Sequence, residues 1–153
     1  MKEKFPYLGN DVLITQDMCD LNEHMNVIYY AKIFEDEFPF YDSLGFTSDY
    51  FKQGYSFFTL EMNIRYLKEM RKGEIASPCF RYFAVKPKLI HYGGVLLNES
   101  GEVSSITENV LIHVDMKTRK SCEMSDSTID HLKDMVAVHS ATGEIDFELR
   151  LKI

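Results

Sequence analysis

Asp20-Leu21-Asn22-Glu23-His24-Met25-Asn26, followed at once by Val27-Ile28-Tyr29-Tyr30-Ala31-Lys32-Ile33-Phe34, is the stretch on which the reading of this 153-residue chain turns. Polar and ionisable side chains crowd into one short piece of backbone, and an aromatic, apolar helix begins directly behind them. An Asn at such a junction caps the helix, and the free N–H groups of the first turn attract negative charge. A carboxylate and an imidazole therefore lie beside a natural oxyanion-binding position. That combination suits acyl chemistry, and it also suits plain helix capping.

Working outward, Asp11 to Thr15 reads as a short strand with Val12-Leu13-Ile14 as its apolar core. Val27, Ala31, Phe34 and Phe38 recur at helical spacing, and Pro39 ends the helix because the residue before a proline resists the helical region. Leu44-Gly45-Phe46 reads as a turn, and Ser48-Asp49 as the cap of a short helical turn through Lys52, stopped by Gly54. From Tyr55 to Leu67 the period becomes two, with Phe58, Leu60, Met62, Ile64 and Tyr66 expected on one face and Thr59, Glu61, Asn63 and Arg65 on the other. Glu69 to Gly73 is a charged turn. Glu74 to Val85, Leu89 to Asn98 and Val103 to Asp115 read as further strands, separated by Lys86-Pro87-Lys88 and the hairpin signal Ser100-Gly101. Ser127 is the expected cap of a last helix carrying Ile129, Leu132, Met135 and Val136, and Phe147, Leu149 and Leu151 alternate as a possible terminal strand. One strand, one helix of several turns and a run of long antiparallel strands make an α+β domain spanning the whole chain, residues 1–153, with the sheet curved around the helix.

Composition excludes several classes of function. The formal charge of −7 gives no general attraction to nucleic acid or to an anionic membrane. Cys19, Cys79 and Cys122 are odd in number and widely spaced, without a CxxC pair, as expected of reduced thiols in a cytoplasmic protein. No leader peptide or membrane-spanning run is expected, and Arg and Lys cluster only in short turns. The histidines show no metal-ligand spacing, and no GxGxxG or phosphate-binding loop occurs, so neither a metal nor a cofactor is expected.

The order of elements and the Asp20–Tyr30 stretch resemble the hotdog-fold acyl-CoA thioesterases of the 4-hydroxybenzoyl-CoA thioesterase-like superfamily. In that family a strand leads into a D-x-x-G-H-x-N-type segment and then the central helix; Asp20, His24 and Asn26 match it, with Tyr30 on the helix behind. Glu61-Met62-Asn63-Ile64-Arg65-Tyr66-Leu67 and Leu111-Ile112-His113-Val114-Asp115-Met116-Lys117-Thr118-Arg119 look most like the small thioesterases of carnitine and betaine catabolism. The resemblance implies a hotdog fold, an acyl-CoA substrate, no cofactor, and a homodimer or homotetramer with active sites at the subunit boundary. One departure stands out: the family's glycine before the histidine is Glu23 here, and glycine there permits positive φ and close approach of a ligand.

The resemblance carries the catalytic carboxylate onto Asp20, as general base on a water or as nucleophile, while the structural alternative is an Asp that caps a turn. His24 orients substrate, shares a hydrogen bond with Asp20, or ties the loop to a carbonyl. Asn26 is a helix cap first and a ligand contact second, and backbone N–H groups around Asn26 and Val27 form the oxyanion hole. Glu23, Val27, Tyr30, Glu61 and Arg65 are the expected substrate-binding residues: Glu61 as a second acid or a contact for a cationic acyl group, Arg65 for the phosphates of CoA. Two other chemistries remain open, hydration or dehydration of an acyl-CoA and non-catalytic acyl-CoA binding.

Overall fold

A computed structural model describes residues 1–40 and 48–153; the turn expected at Leu44-Gly45-Phe46 lies outside the described residues. Among the described residues seven strands form one antiparallel system: β1 (Tyr7–Leu8), β2 (Val12–Leu13), β3 (Tyr55–Tyr66), β4 (Ile75–Lys86), β5 (Leu89–Leu97), β6 (Val103–Asp115) and β7 (Lys120–Ser121). The path is β1-β4-β5-β6-β3, with β2 on β4 and β7 on β6, so β3 closes one end of the sheet. Helix α1 (Val27–Glu37) follows the motif loop, α2 (Ser48–Lys52) precedes β3, and α3 (Asp126–Ser140) follows β7.

Helix α1 lies where its apolar spacing puts it. Tyr30, Ile33 and Phe34 are buried against Phe80 and Tyr82 of β4, Ile90, Tyr92 and Leu96 of β5, and Leu111 of β6. Leu132 and Met135 of α3 join the same core. Complete burial of one such side chain is worth roughly 1.5–3 kcal/mol, so this inner face dominates the packing. A smaller cluster on the outer face joins Phe5, Cys79, Val95, Leu97 and Ile106, with Phe83, Ile145 and Phe147 packed on it.

Three sequence expectations are corrected here. In β3 the register against β6 shifts between Thr59 and Glu61, and Leu60 is the extra residue of a bulge. The shift breaks the period of two: Phe57 and Thr59 share the inner face with Met62, Ile64 and Tyr66, whereas Phe58 shares the outer face with Glu61, Asn63 and Arg65. The α3 cap is Ser125, not Ser127, because Ser125 has the extended backbone of a cap and its side chain accepts the Thr128 N–H. Phe147, Leu149 and Leu151 are not a strand. Their alternating burial is real, but the segment lies on the outer face of the sheet instead of hydrogen-bonding along an edge.

That terminal segment is held from beneath by Glu108 of β6. The Glu108 side chain is fully buried. Its Oε1 accepts from Arg65 Nη2 at 3.0 Å, and its Oε2 accepts the backbone N–H groups of Arg150 and Leu151 at 2.8 and 3.0 Å. Phe147 stacks on Phe5, with the Arg65 guanidinium 5.0 Å from its ring centre.

Candidate active site

The motif loop is a tight reversal pinned to the segment between β3 and β4. Asp20 N–H donates to the His24 carbonyl at 3.1 Å, Glu23 N–H to the Asp20 carbonyl at 3.1 Å, and Met25 N–H to the Met70 carbonyl at 2.7 Å. Asn26 N–H reaches back to the Met18 carbonyl, which delivers the chain into α1 at a fixed point. Glu23 takes φ of 64°, the left-handed conformation that glycine adopts without strain and that costs another residue about 1–2 kcal/mol. The loop thus keeps the backbone conformation that the family glycine permits, with a side chain added.

Asn26 caps α1 as its position predicts: its Oδ1 accepts the Ile28 N–H at 3.1 Å, and its backbone is extended. The Tyr29 N–H is taken by the Asn26 carbonyl. Among the described residues the Val27 N–H takes no hydrogen-bond partner, and Val27 itself is exposed. One free donor at a helix N-terminus, with the helix dipole behind it, is the electrostatic arrangement an oxyanion requires.

Asp20 Oδ1 accepts the Asn22 N–H at 2.8 Å and Oδ2 lies 3.4 Å from Asn22 Nδ2, an Asx turn. The same carboxylate lies 3.9 Å from His24 Nδ1, and that nitrogen is 3.4 Å from the Met25 carbonyl. Asp20 and His24 are thus brought together at the entrance to α1. His24, Met25, Val27, Tyr30, Tyr66 and Lys68 line a cleft of about 230 Å³ there. Tyr30 and Tyr66 meet edge to face at 5.1 Å, and burial pushes the Tyr30 phenol up, so it stays protonated in the physiological range.

The other expected substrate contacts fall elsewhere. Glu23 faces a neighbouring depression with Gln16, Cys19, Arg71 and Lys72. Glu61 is exposed on the outer side of β3, opposite Val110, on the face away from α1. Arg65 also points outward, its guanidinium engaged by Glu108 and Phe147. Of the basic side chains that follow it, Lys68 pairs with Glu102 and Arg71 with Glu69. Tyr66, Leu67 and Glu69 are cleft residues that sequence reasoning did not single out; the signal was positional, since the Met25–Met70 hydrogen bond draws the end of β3 beside the motif loop. Among the described residues no group of three or more His, Cys, Asp or Glu side chains is placed to hold a metal, and no helix is long and apolar enough to cross a membrane.

The chain is similar to known proteins in sequence and in fold. Residues 14–132 match the family model of the thioesterase-like superfamily. A protein of Agrobacterium fabrum described as L-carnitine dehydrogenase/betainyl-CoA thioesterase is 27% identical over 132 residues, covering 84% of this chain and 27% of that protein. A protein of the same description from Ruegeria pomeroyi is 29% identical over 121 residues, covering 78% of this chain and 25% of that one. The chain therefore spans about a quarter of the length of the curated relatives it matches. Among solved structures, a Staphylococcus aureus protein in complex with CoA superposes with a TM-score of 0.77 at 22% identity, covering 95% of this chain and 94% of its own. A DHNA-CoA thioesterase from Staphylococcus aureus superposes with a TM-score of 0.77 at 20% identity, covering 91% and 95%. These superpositions establish the antiparallel sheet and helix as the hotdog fold.

Proposed function

The chain belongs to the thioesterase-like superfamily, and we propose that it hydrolyses an acyl-CoA thioester to the free acid and CoA. The observation that carries this reading is the open Val27 N–H at the start of α1, in a cleft with Tyr30 and with His24, whose Nδ1 lies 3.9 Å from the Asp20 carboxylate. The thioester carbonyl oxygen accepts from Val27 N–H, and the developing negative charge is stabilised there by the helix dipole. Asp20 acts on the carbonyl carbon, either as general base on a water or as nucleophile. Water supplies the hydroxyl of the acid, and the sulfur leaves as the CoA thiol. Asn26 fixes the helix start, and His24 holds the loop and faces the cleft.

The working unit in this reading is a homodimer. Strand β3 offers a long open edge, and long open edges are normally covered. Leu60 on that edge is 60% exposed and Ile28 on α1 is 64% exposed, with Phe58, Tyr66, Leu67 and Val27 exposed nearby. Pairing of two β3 edges covers this apolar surface in one isologous contact. Betainyl-CoA, which appears in the relatives' description, is the first substrate to try. The test is release of free thiol from short, long, aromatic and betainyl CoA esters. Turnover of at least one supports the reading; no thiol from any of them, with CoA esters still binding, refutes it.

A further inference from the structure

The outer face of the sheet holds a cavity of about 420 Å³ that the thioester chemistry does not use. It lies between β4 and the segment that follows α3. Arg81, Phe83, Ile145, Phe147 and Leu149 line it, together with the exposed Glu144. Phe80 and Tyr82, the neighbours of Arg81 along β4, belong to the inner core. Alternation along a strand therefore turns Arg81 outward, away from α1.

Arg81 is 6% exposed, and a buried guanidinium is ordinarily paired with a carboxylate. Arg81 has no such partner among the described residues. Its Nη1 donates to the Lys4 carbonyl at 3.2 Å and to the Gly143 carbonyl at 2.8 Å, two neutral acceptors. Its Nε is buried without a hydrogen-bond partner, and its Nη2 donates to no group among the described residues. Burial pushes the Arg81 pKa down, and no carboxylate acts in the other direction. Its charge is felt by His139, which burial first and Arg81 second push down to about 4.

The sheet itself keeps this cation from the buried acid on the same face. Arg81, Gly93 and Glu108 stand in register across β4, β5 and β6. The Phe83 ring occupies the space over Gly93, where a Cβ would meet its Cε2 at 2.7 Å. The ring thus stands between Arg81 and Glu108, and the Glu108 oxygens are taken by Arg65 and by the Arg150 and Leu151 N–H groups. An anion from outside the chain would complete Arg81, and the walls limit its kind. Phe83, Ile145, Phe147 and Leu149 are part-buried and apolar. Glu144 and the formal charge of −7 oppose a polyanion. Cavities of roughly 300–1,000 Å³ take small organic ligands, so there is room for one carboxylate carrying an aromatic ring or a medium-length chain.

We propose that this outer-face cavity binds an apolar monocarboxylate, its carboxylate paired with Arg81 and its hydrocarbon body laid against Phe83, Ile145, Phe147 and Leu149. The site is separate from the cleft at Val27 and needs no reaction there, so it stands or falls apart from the thioesterase reading. The test is isothermal titration of the whole chain at neutral pH with octanoate, beside octanol as the chain without the charge and acetate as the charge without the chain. Octanoate should bind once per protomer with a Kd of about 1 mM or tighter, and octanol and acetate about tenfold more weakly or worse. Arg81→Gln should weaken octanoate by about tenfold or more. That variant also gives up the bonds to Lys4 and Gly143, so Leu149→Glu is titrated beside it; a like charge on the cavity wall should weaken octanoate by about tenfold. Glu144→Gln removes a repelling charge at an exposed position and should tighten octanoate by about twofold. Octanol binding as tightly as octanoate overturns the pairing with Arg81. Octanoate binding that Leu149→Glu leaves unchanged lies elsewhere and overturns the site, as does the absence of octanoate binding up to about 10 mM.

Discussion

Asn26→Asp separates the two roles that the start of α1 combines. The Asn26 Oδ1 bond to the Ile28 N–H at 3.1 Å is an acceptor's job, which an aspartate performs equally well. The helix dipole favours negative charge at this end, so the fold should lose nothing and gain up to about 0.5 kcal/mol. The transition state should suffer. A carboxylate at position 26 lies within about 5 Å of an oxyanion on the Val27 N–H, and at an effective dielectric near 20 two full charges at that distance repel by about 3 kcal/mol. The oxyanion carries part of a charge, so about 1.4–3 kcal/mol is the expected loss, or roughly 10–100-fold in kcat. Asn26→Ala provides the contrast: the cap is lost, at about 1 kcal/mol of stability, without an added charge. The assay is thiol release at saturating substrate, with urea unfolding on the same preparations. A stable Asn26→Asp protein whose kcat stays within about twofold of wild type refutes an oxyanion at the helix start.

Three further outcomes follow from the surrounding structure. Glu108→Ala leaves the nearly buried Arg65 guanidinium and the Arg150 and Leu151 N–H groups without their acceptor; it should cost about 3–5 kcal/mol in urea unfolding and expose the terminal segment to proteolysis, and a loss below about 1 kcal/mol contradicts the role of Glu108 as the anchor of that segment. His139 is buried, its Nδ1 accepts the Tyr82 N–H at 2.9 Å, and burial pushes its pKa down to about 4. Above the ordinary histidine range it is neutral folded and unfolded alike; below it the unfolded chain takes up a proton that the folded chain refuses, so roughly 2 kcal/mol should be lost between pH 6.5 and 5, and His91 and His113, also lowered by burial, add in the same direction. A urea midpoint that holds or rises over that window contradicts this. Glu23→Gly relieves a left-handed backbone at φ 64° and should leave urea stability unchanged or raise it by about 0.5 kcal/mol, with Glu23→Val lowering it by more than about 1 kcal/mol; a glycine variant weakened by more than about 1 kcal/mol would contradict the strain.

The features legible in the sequence were those with a local cause. The Asn26 cap and the spacing of Val27, Ala31 and Phe34 located α1 to within a residue, and turn residues bounded β3 through β6. The Leu60 bulge was hidden because two phases of a period-two pattern, Phe57-Thr59 and Met62-Ile64-Tyr66, join into one apparent stripe when Phe58 and Leu60 are also apolar. The full burial of Glu108 was not legible, because it depends on Arg65 and on a backbone some 40 residues further on. The tail's alternation correctly announced an extended chain with one buried face. It carried no sign that the contact is face-on, since burial pattern and edge pairing are independent. That Asp20, His24, Asn26 and Val27 lie together at the start of α1 followed from chain continuity; the cleft wall from Tyr66 to Glu69 depended on the Met25–Met70 hydrogen bond.

Asp20 is the residue on which the account depends most, and its Asx turn supplies the means of testing it. Asn supports the same turn, accepting the Asn22 N–H through its side-chain oxygen, but can be neither base nor nucleophile. The measurement is kcat for Asp20→Asn on the best CoA ester, beside its urea midpoint. The account predicts an unchanged fold and a fall of about 100-fold or more. A folded Asp20→Asn protein that turns over at the wild-type rate would contradict it, leaving Asp20 as a turn cap alone.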